Sequence, residues 1–134
     1  MSFDWANYLD VAKDLCGKSN GTQLVPEAKF RCAISRAYYG AYCSARNYLR
    51  SKGISVPTNG EGHQIVRENF YNSSNKTEQQ IGENLNRLRI ARNKADYNDC
   101  YHSQHVISKL QSEAQVSLCH SECILSSLKQ IQDK

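Results

Sequence analysis

The broadest apolar pattern in the chain lies in residues 27–50, where hydrophobic and small side chains recur at helical spacing. Pro26 precedes this stretch at a position suited to the first turn of a helix, and Gly40 is the only glycine within it. At 100° per residue, one wide face collects Phe30, Ile34, Ala37, Tyr38, Ala41, Ala45, Tyr48 and Leu49. A helix that is apolar over so much of its circumference has neighbours on several sides. The pattern therefore predicts the central helix of an all-α bundle.

Helical spacing predicts four further helices on either side of this one. Three of them are assigned by apolar periodicity to residues 3–16, 63–71 and about 101–131. Thr77 and Gln80 have the form of a capping box, which predicts the start of another helix that runs to about residue 97. No stretch alternates in the manner of a strand. We therefore expect one domain over residues 1–134, an antiparallel up-and-down helical bundle of four long helices plus one short helix.

Composition and charge limit the functional classes only weakly. The chain has 134 residues, of which 40% are hydrophobic, and its formal net charge is +4. This charge is too small to imply nucleic-acid binding by itself, although a local cluster of basic residues would be enough. No run is long and apolar enough to span a membrane, and the N-terminal residues lack the pattern of a signal peptide. These features predict a cytoplasmic protein with no membrane contact.

The six cysteines do not form a metal-binding pattern. Most of them lie inside predicted helices, where a reduced cysteine behaves as a small hydrophobic residue. Cys119 and Cys123 are one helical turn apart with His120 between them, but no second pair stands at ligand spacing. We therefore predict neither a metal nor another cofactor.

An arginine interrupts the inward stripe of the fourth predicted helix. Ile81, Leu85, Leu88 and Ala95 define this stripe, and Arg92 lies at its centre with Asp96 one turn further on. A charge in an apolar stripe costs several kcal/mol unless it is paired or reaches water. Spacing favours a buried structural ion pair between Arg92 and Asp96. The alternative is that Arg92 projects into a functional groove or a dimer seam.

Histidines near Arg92 are candidates for acid–base chemistry. His102 and His105 lie three residues apart at the start of the last predicted helix, and His63 opens the short helix after a glycine-rich loop. A cap or a surface position would explain His63 equally well.

Basic residues and tyrosines also occur together on the central and fourth helices. The basic residues are Arg31, Arg36, Arg46, Arg50, Arg87, Arg89, Arg92 and Lys94, and the tyrosines are Tyr38, Tyr39 and Tyr42. Such a surface can hold an RNA backbone and stack bases, although solvated arginines and core tyrosines are the commoner explanation.

Three segments together resemble the HEPN superfamily, and most closely its small stand-alone bacterial and archaeal members. These segments are SRAYYGAYCSAR at 35–46, the helix that opens with His63, and RLRIARNKADY at 87–97. The resemblance implies a helical bundle that commonly dimerises and that serves toxin–antitoxin, antiviral defence or RNA-processing systems. Such proteins often occur beside a minimal nucleotidyltransferase. Active members are metal-independent ribonucleases that use an arginine and a following histidine.

The match to this ribonuclease motif is incomplete. Arg92 and Asn93 correspond to its beginning, but Tyr97, Asn98 and Asp99 occupy the positions at which the histidine is expected. Two functions therefore stay open, and a nucleotide sensor is a weaker third option because no phosphate-binding loop is found. The first is an RNA-directed protein or metal-independent endoribonuclease. The second is a non-catalytic module that binds a nucleotidyltransferase or a larger effector protein.

The resemblance also suggests how a catalytic site would be composed. In a ribonuclease, Arg92 would contact phosphate and stabilise its developing charge, with Asn93 and Asp96 orienting it. The general base would be His63, His102 or Tyr97.

Overall fold

The computed structural model describes residues 3–17, 26–97 and 106–132, and all regular secondary structure among them is α-helical. The five helices are α1 (Asn7–Gly17), α2 (Pro26–Ser51), α3 (Gly60–Tyr71), α4 (Lys76–Tyr97) and α5 (Val106–Gln132). The predicted all-α helical bundle is thereby confirmed. None of the described helices combines the length and apolar character that are needed to cross a membrane.

Helix α2 lies at the centre of the bundle and packs against the other four helices. All eight residues of its predicted apolar face are buried. Its first half packs with α1, the end of α4 and the first half of α5, whereas its second half packs with α3, the start of α4 and the end of α5. Gly40 permits a close approach of α1, because a Cβ atom at this position would lie 3.2 Å from the backbone nitrogen of Leu9.

Contacts between distant residues define the chain directions. Near the start of α2, Arg31 donates a hydrogen bond to the carbonyl oxygen of Ala95, and near its end Tyr48 donates one to Glu78. Helices α2 and α4 are therefore antiparallel. Helix α1 is antiparallel to α2, because Leu9 near its start lies beside Gly40 and Cys16 near its end lies beside Lys29. The two core clusters make α5 parallel to α2. Helices α1, α2, α4 and α5 thus alternate in direction, as an up-and-down bundle requires.

Helix α3 belongs to the connection between α2 and α4 and runs in the same direction as α2. His63 near its start contacts Tyr42, and Phe70 near its end contacts Tyr48. The loop after α2 therefore returns along the helix before α3 begins. This return places the start of α3 beside the middle of α2, where the candidate site lies.

Two helix starts differ from the prediction in ways that change the proportions of the bundle. Helix α1 begins at Asn7 instead of residue 3, because Asp4 accepts hydrogen bonds from the backbone nitrogens of Ala6 and Asn7. Helix α3 begins at Gly60 instead of His63, with the Asn59 side chain as its N-cap. With 11 and 12 residues, α1 and α3 are both short, so three long helices stand beside two short ones.

The capping box predicted for Thr77 and Gln80 is wrong. Asn75 caps α4 instead, since its side-chain oxygen accepts a hydrogen bond of 3.0 Å from the backbone nitrogen of Glu78. Helix α4 therefore begins at Lys76. The predicted first turn of the last helix, residues 101–105, lies outside the described residues, and the described helix begins at Val106.

Candidate functional site

The side chain of Arg92 lies among three tyrosine rings. Its guanidinium carbon is 5.1 Å from the ring centre of Tyr38, 5.4 Å from that of Tyr39 and 5.6 Å from that of Tyr97. Nη1 also donates a hydrogen bond of 3.1 Å to the Tyr97 hydroxyl. Aromatic faces carry negative potential, so they stabilise a cation that has lost most of its water. With only 9% of its surface exposed, Arg92 is a buried charge held mainly by tyrosines.

The predicted ion pair between Arg92 and Asp96 is present but loose. The Nε atom of Arg92 lies 3.9 Å from Oδ2 of Asp96, which is too long for a hydrogen bond. The same carboxylate oxygen accepts a hydrogen bond from Ser35 of α2. Within the described part of the chain, Nε of Arg92 is buried without a hydrogen-bond partner. The charge is therefore not neutralised by a close carboxylate.

His63 contacts the same tyrosine, Tyr38. Its Nδ1 atom and the Tyr38 hydroxyl share a hydrogen bond, and its ring stacks on Tyr42 with ring centres 4.0 Å apart. Gly62 makes this approach possible, because a Cβ atom there would collide with the Pro57 carbonyl oxygen and lie 2.9 Å from the Tyr42 hydroxyl. We call the group formed by Arg92, Tyr38 and His63 the core triad.

Electrostatics within the core triad favour a neutral imidazole beside a permanent cation. Burial lowers the pKa of His63, and the positive charges of Arg92, Arg67 and Arg46 lower it further. Burial also raises the pKa of the Tyr38 hydroxyl, which therefore stays protonated. For Arg92, burial opposes the charged form, but the hydrogen bond to Tyr97 and the nearby tyrosine oxygens raise its pKa overall.

The structure brings some of the predicted site residues together and leaves others apart. Arg92, Asp96, Tyr97 and His63 all belong to one contact network through Tyr38. Asn93 is half-buried on α4, and among the described residues it has no hydrogen bond to this network. His102 lies outside the described residues, as does His105.

A groove between α1, α2 and α3 opens beside the core triad, with a volume of about 510 Å³. Its walls combine rings and positive charges: Trp5, Tyr8, Tyr39 and Tyr42 are aromatic, Arg36 and Arg46 are basic, and His63 belongs to both the groove and the triad. No carboxylate is among the described side chains that line it. We call it the aromatic groove.

Sequence reasoning identified part of this groove. It singled out the basic residues and tyrosines of α2, but it assigned Trp5 and Tyr8 together to a first helix over residues 3–16. Both residues are half-buried, and Trp5 precedes α1. The missing signal was the turn at Asp4, whose side chain accepts a hydrogen bond from the backbone nitrogen of Ala6, so that the helix begins only at Asn7.

Metal ligands are not assembled elsewhere in the bundle. Within residues 3–17, 26–97 and 106–132, no three histidine, cysteine or carboxylate side chains come close enough to hold a metal ion.

The chain matches no protein-family model, no curated protein and no solved structure. Similarity to HEPN proteins therefore rests on the three sequence segments, and functional reasoning rests on the site itself.

Proposed function

We propose that this chain is a HEPN-like protein that acts on single-stranded RNA and cleaves it without a metal ion. One observation carries the proposal. His63 lines a basic aromatic groove and is hydrogen-bonded to Tyr38, whose ring contacts the cation of Arg92, and burial and the nearby arginines lower the pKa of its imidazole. A neutral histidine at the surface of a positively charged groove is suited to removing a proton from a polyanionic substrate.

The proposed reaction uses the nucleophile that RNA itself carries. In the tautomer in which Nδ1–H of His63 donates to the Tyr38 oxygen, Nε2 is free to accept a proton. Nε2 would take the proton of a ribose 2′-hydroxyl, whose oxygen then attacks the adjacent phosphorus. The bond to the 5′-oxygen breaks, and this oxygen takes a proton from water. The hydroxide that remains accepts the proton held by His63, which restores the neutral imidazole. The products are a 2′,3′-cyclic phosphate and a 5′-hydroxyl.

Arg92 has a different role in this proposal from the phosphate contact that the resemblance implied. Its burial beneath Tyr38, Tyr39 and Tyr97 keeps it out of the groove lining. Burial is the largest cause of the lowered pKa of His63, and the charge of Arg92 lowers that pKa further. Arg92 is therefore a positioning residue that acts through His63.

Cleavage of a labelled single-stranded RNA in the presence of EDTA tests this function. We expect slow cutting by the wild-type protein, with cyclic-phosphate ends and loss of activity in His63→Gln. A substrate with one 2′-deoxy nucleotide should resist cleavage at that position, because it lacks the nucleophile. Circular dichroism checks that the variant is folded. Absence of cutting at high protein concentration, or equal cutting by the folded variant, would contradict the proposal.

A second candidate function, a non-catalytic interaction module, is favoured by the burial of Arg92. A guanidinium that packs between tyrosines of α2 and α4 connects these two helices, and this structural role alone would explain its burial. Such a module would bind a nucleotidyltransferase or a larger effector protein, in a prokaryotic defence or toxin–antitoxin system. Co-purification with such a partner, without any RNA cleavage, would support this function. The homodimer implied by the resemblance stays a prediction that light scattering can measure.

A further inference from the structure

We infer that the aromatic groove binds a short unpaired segment of RNA, with backbone phosphates at Arg36 and Arg46 and a base against the aromatic wall between them. The choice of RNA over DNA rests on the proposed function, because only RNA presents a 2′-hydroxyl to His63. The location of the groove and the side chains that line it do not depend on whether the protein cleaves RNA.

The two arginines are spaced and held as a pair of phosphate ligands. They lie ten residues apart on α2, which corresponds to about 15 Å along a helix. The guanidinium carbon of Arg36 lies 5.1 Å from the Tyr8 ring centre, and that of Arg46 lies 5.5 Å from the Trp5 ring centre. Neither arginine is in an ion pair with any described residue. Both charges are therefore oriented by rings and available to an anion.

Aromatic surface between these charges suits an unstacked base. Trp5, Tyr8 and Tyr39 are half-buried, so part of each ring stays accessible from the groove. Bases that are already stacked within a duplex cannot reach such rings, whereas single strands stack on them with little regard to sequence. The volume of about 510 Å³ also lies within the range of clefts that hold small ligands.

An acidic peptide is the main competing ligand for this surface. It would pair with the two arginines, but its carboxylates would not stack on the accessible parts of the aromatic rings. A polynucleotide segment uses the charges and the rings together. The combination of side chains therefore favours single-stranded RNA.

Trp5 allows this inference to be tested directly, because it is the only tryptophan of the chain and it lines the groove. We expect an unlabelled 2′-O-methyl oligonucleotide of eight residues, which cannot be cleaved, to quench Trp5 fluorescence. Anisotropy of the same oligonucleotide with a fluorescent label measures the Kd independently. In the double variant Arg36→Gln/Arg46→Gln, the Kd should rise by about 10-fold or more, since two phosphate contacts are lost.

Salt dependence distinguishes contact with phosphates from a general loss of affinity. Each phosphate contact of a single strand adds about 0.7 to the magnitude of the slope of log affinity against log salt. The magnitude of this slope should therefore be smaller by about 1.4 in the double variant. Lys109→Gln, which removes an exposed charge from α5, is the matched control and should leave the Kd unchanged, because α5 contributes no side chain to the groove. Circular dichroism verifies that each variant is folded.

Several outcomes would overturn the inference. They are an absence of quenching and binding, the same Kd and salt slope in the folded double variant, and binding of an oligoglutamate peptide in preference to RNA. Failure of the proposed function is distinguishable from failure of this inference. Binding that depends on Arg36 and Arg46 without cleavage would leave the groove intact and refute catalysis. Cleavage that depends on His63 but not on the two arginines would do the reverse.

Discussion

Arg92 shows how a permanent charge can occupy an apolar stripe without a close carboxylate. Helical spacing alone predicted that Arg92 points inward, and it is 9% exposed. Spacing also suggested Asp96 as the partner, since the two residues are one turn apart. That ion pair is loose, and the guanidinium instead packs among three tyrosine rings, two of which belong to α2. Partners from another helix depend on packing, so the sequence of α4 could not indicate them.

Replacing Arg92 by methionine tests whether this residue serves stability or function. Methionine keeps the length of the side chain and packs well on aromatic rings, and buried charges are often replaced without loss. We expect the free energy of unfolding of Arg92→Met to stay within about 1 kcal/mol of the wild-type value, measured by urea denaturation. Asp96→Asn should change it by less than about 1 kcal/mol, because the pair is loose and partly exposed.

If Arg92→Met lowers the free energy of unfolding by about 3 kcal/mol or more, Arg92 serves mainly to connect α2 and α4. A loss of this size is of the order found when one partner of a buried ion pair is removed. That result would support the interaction module over the RNA-directed protein.

Stability should depend on pH through His63. Its pKa is lowered by burial and by neighbouring arginines, so the unfolded chain takes up this proton more readily than the folded one. The stabilisation from a neutral His63 is therefore complete above about pH 6.5, the ordinary histidine value, and is lost as pH falls through the folded pKa. His63→Gln, which cannot titrate, should lose less stability than the wild-type protein between about pH 7.5 and pH 5.

Urea denaturation at the two pH values measures this difference. His120→Gln is the matched control, because burial also lowers the pKa of His120 but that residue lies on α5, away from the core triad. His120→Gln should keep the part of the pH dependence of the free energy of unfolding that His63 contributes. An identical pH dependence in the wild-type protein and in His63→Gln would show that His63 is not held neutral by the fold.

At the scale of elements, the sequence predicted α2 to within a residue at each end but misplaced the starts of α1, α3 and α4. The long apolar pattern of α2 reflects burial on several sides, so it does not depend on any single neighbouring helix. Helix starts depend instead on single capping side chains. Gly60 and Gly62 were interpreted as loop residues, yet both lie in the first turn of α3, where Asn59 supplies the cap.

Helices α3 and α4 approach closely at Gly82. A Cβ atom at this position would lie 2.6 Å from the backbone nitrogen of Tyr71 and 2.8 Å from its Cα, both closer than contact distance. We expect Gly82→Ala to lower the free energy of unfolding by about 1–3 kcal/mol, although alanine favours a helix. Gly60→Ala is the matched control, since its added Cβ meets nothing within 4 Å.

The control should be neutral or stabilising by up to about 1 kcal/mol, because alanine restricts the unfolded chain. Urea denaturation of both variants gives the comparison. Equal effects of the two substitutions would argue against a close approach between α3 and α4.

The cap of α4 gives a second comparison at this scale. Asn75→Ala removes the side chain that accepts the backbone hydrogen bond of Glu78, and we expect a loss of about 1 kcal/mol in the free energy of unfolding. Thr77→Ala, at the position where the sequence pattern had suggested a cap, should cost less than about 0.5 kcal/mol. Thermal or urea denaturation measures both, and a larger effect at Thr77 would restore the original assignment.

At the scale of the whole molecule, periodicity predicted the all-α bundle but not the aromatic groove. The groove needs α3 to run parallel to α2, so that His63 meets Tyr42, and it needs Trp5 to precede α1. The first feature arises from the loop that returns along α2, and the second arises from the turn at Asp4. Residues from three distant parts of the chain therefore converge in a way that no single segment indicates.

The measurement that tests the central claim most directly is the pKa of His63. NMR titration of its imidazole gives this pKa with and without bound 2′-O-methyl RNA. In the free protein we predict a pKa below the ordinary value of about 6.5. Bound RNA brings phosphates close to the imidazole, so the pKa should rise on binding. A pKa of His63 that is ordinary in the free protein and unchanged by saturating RNA would contradict the account.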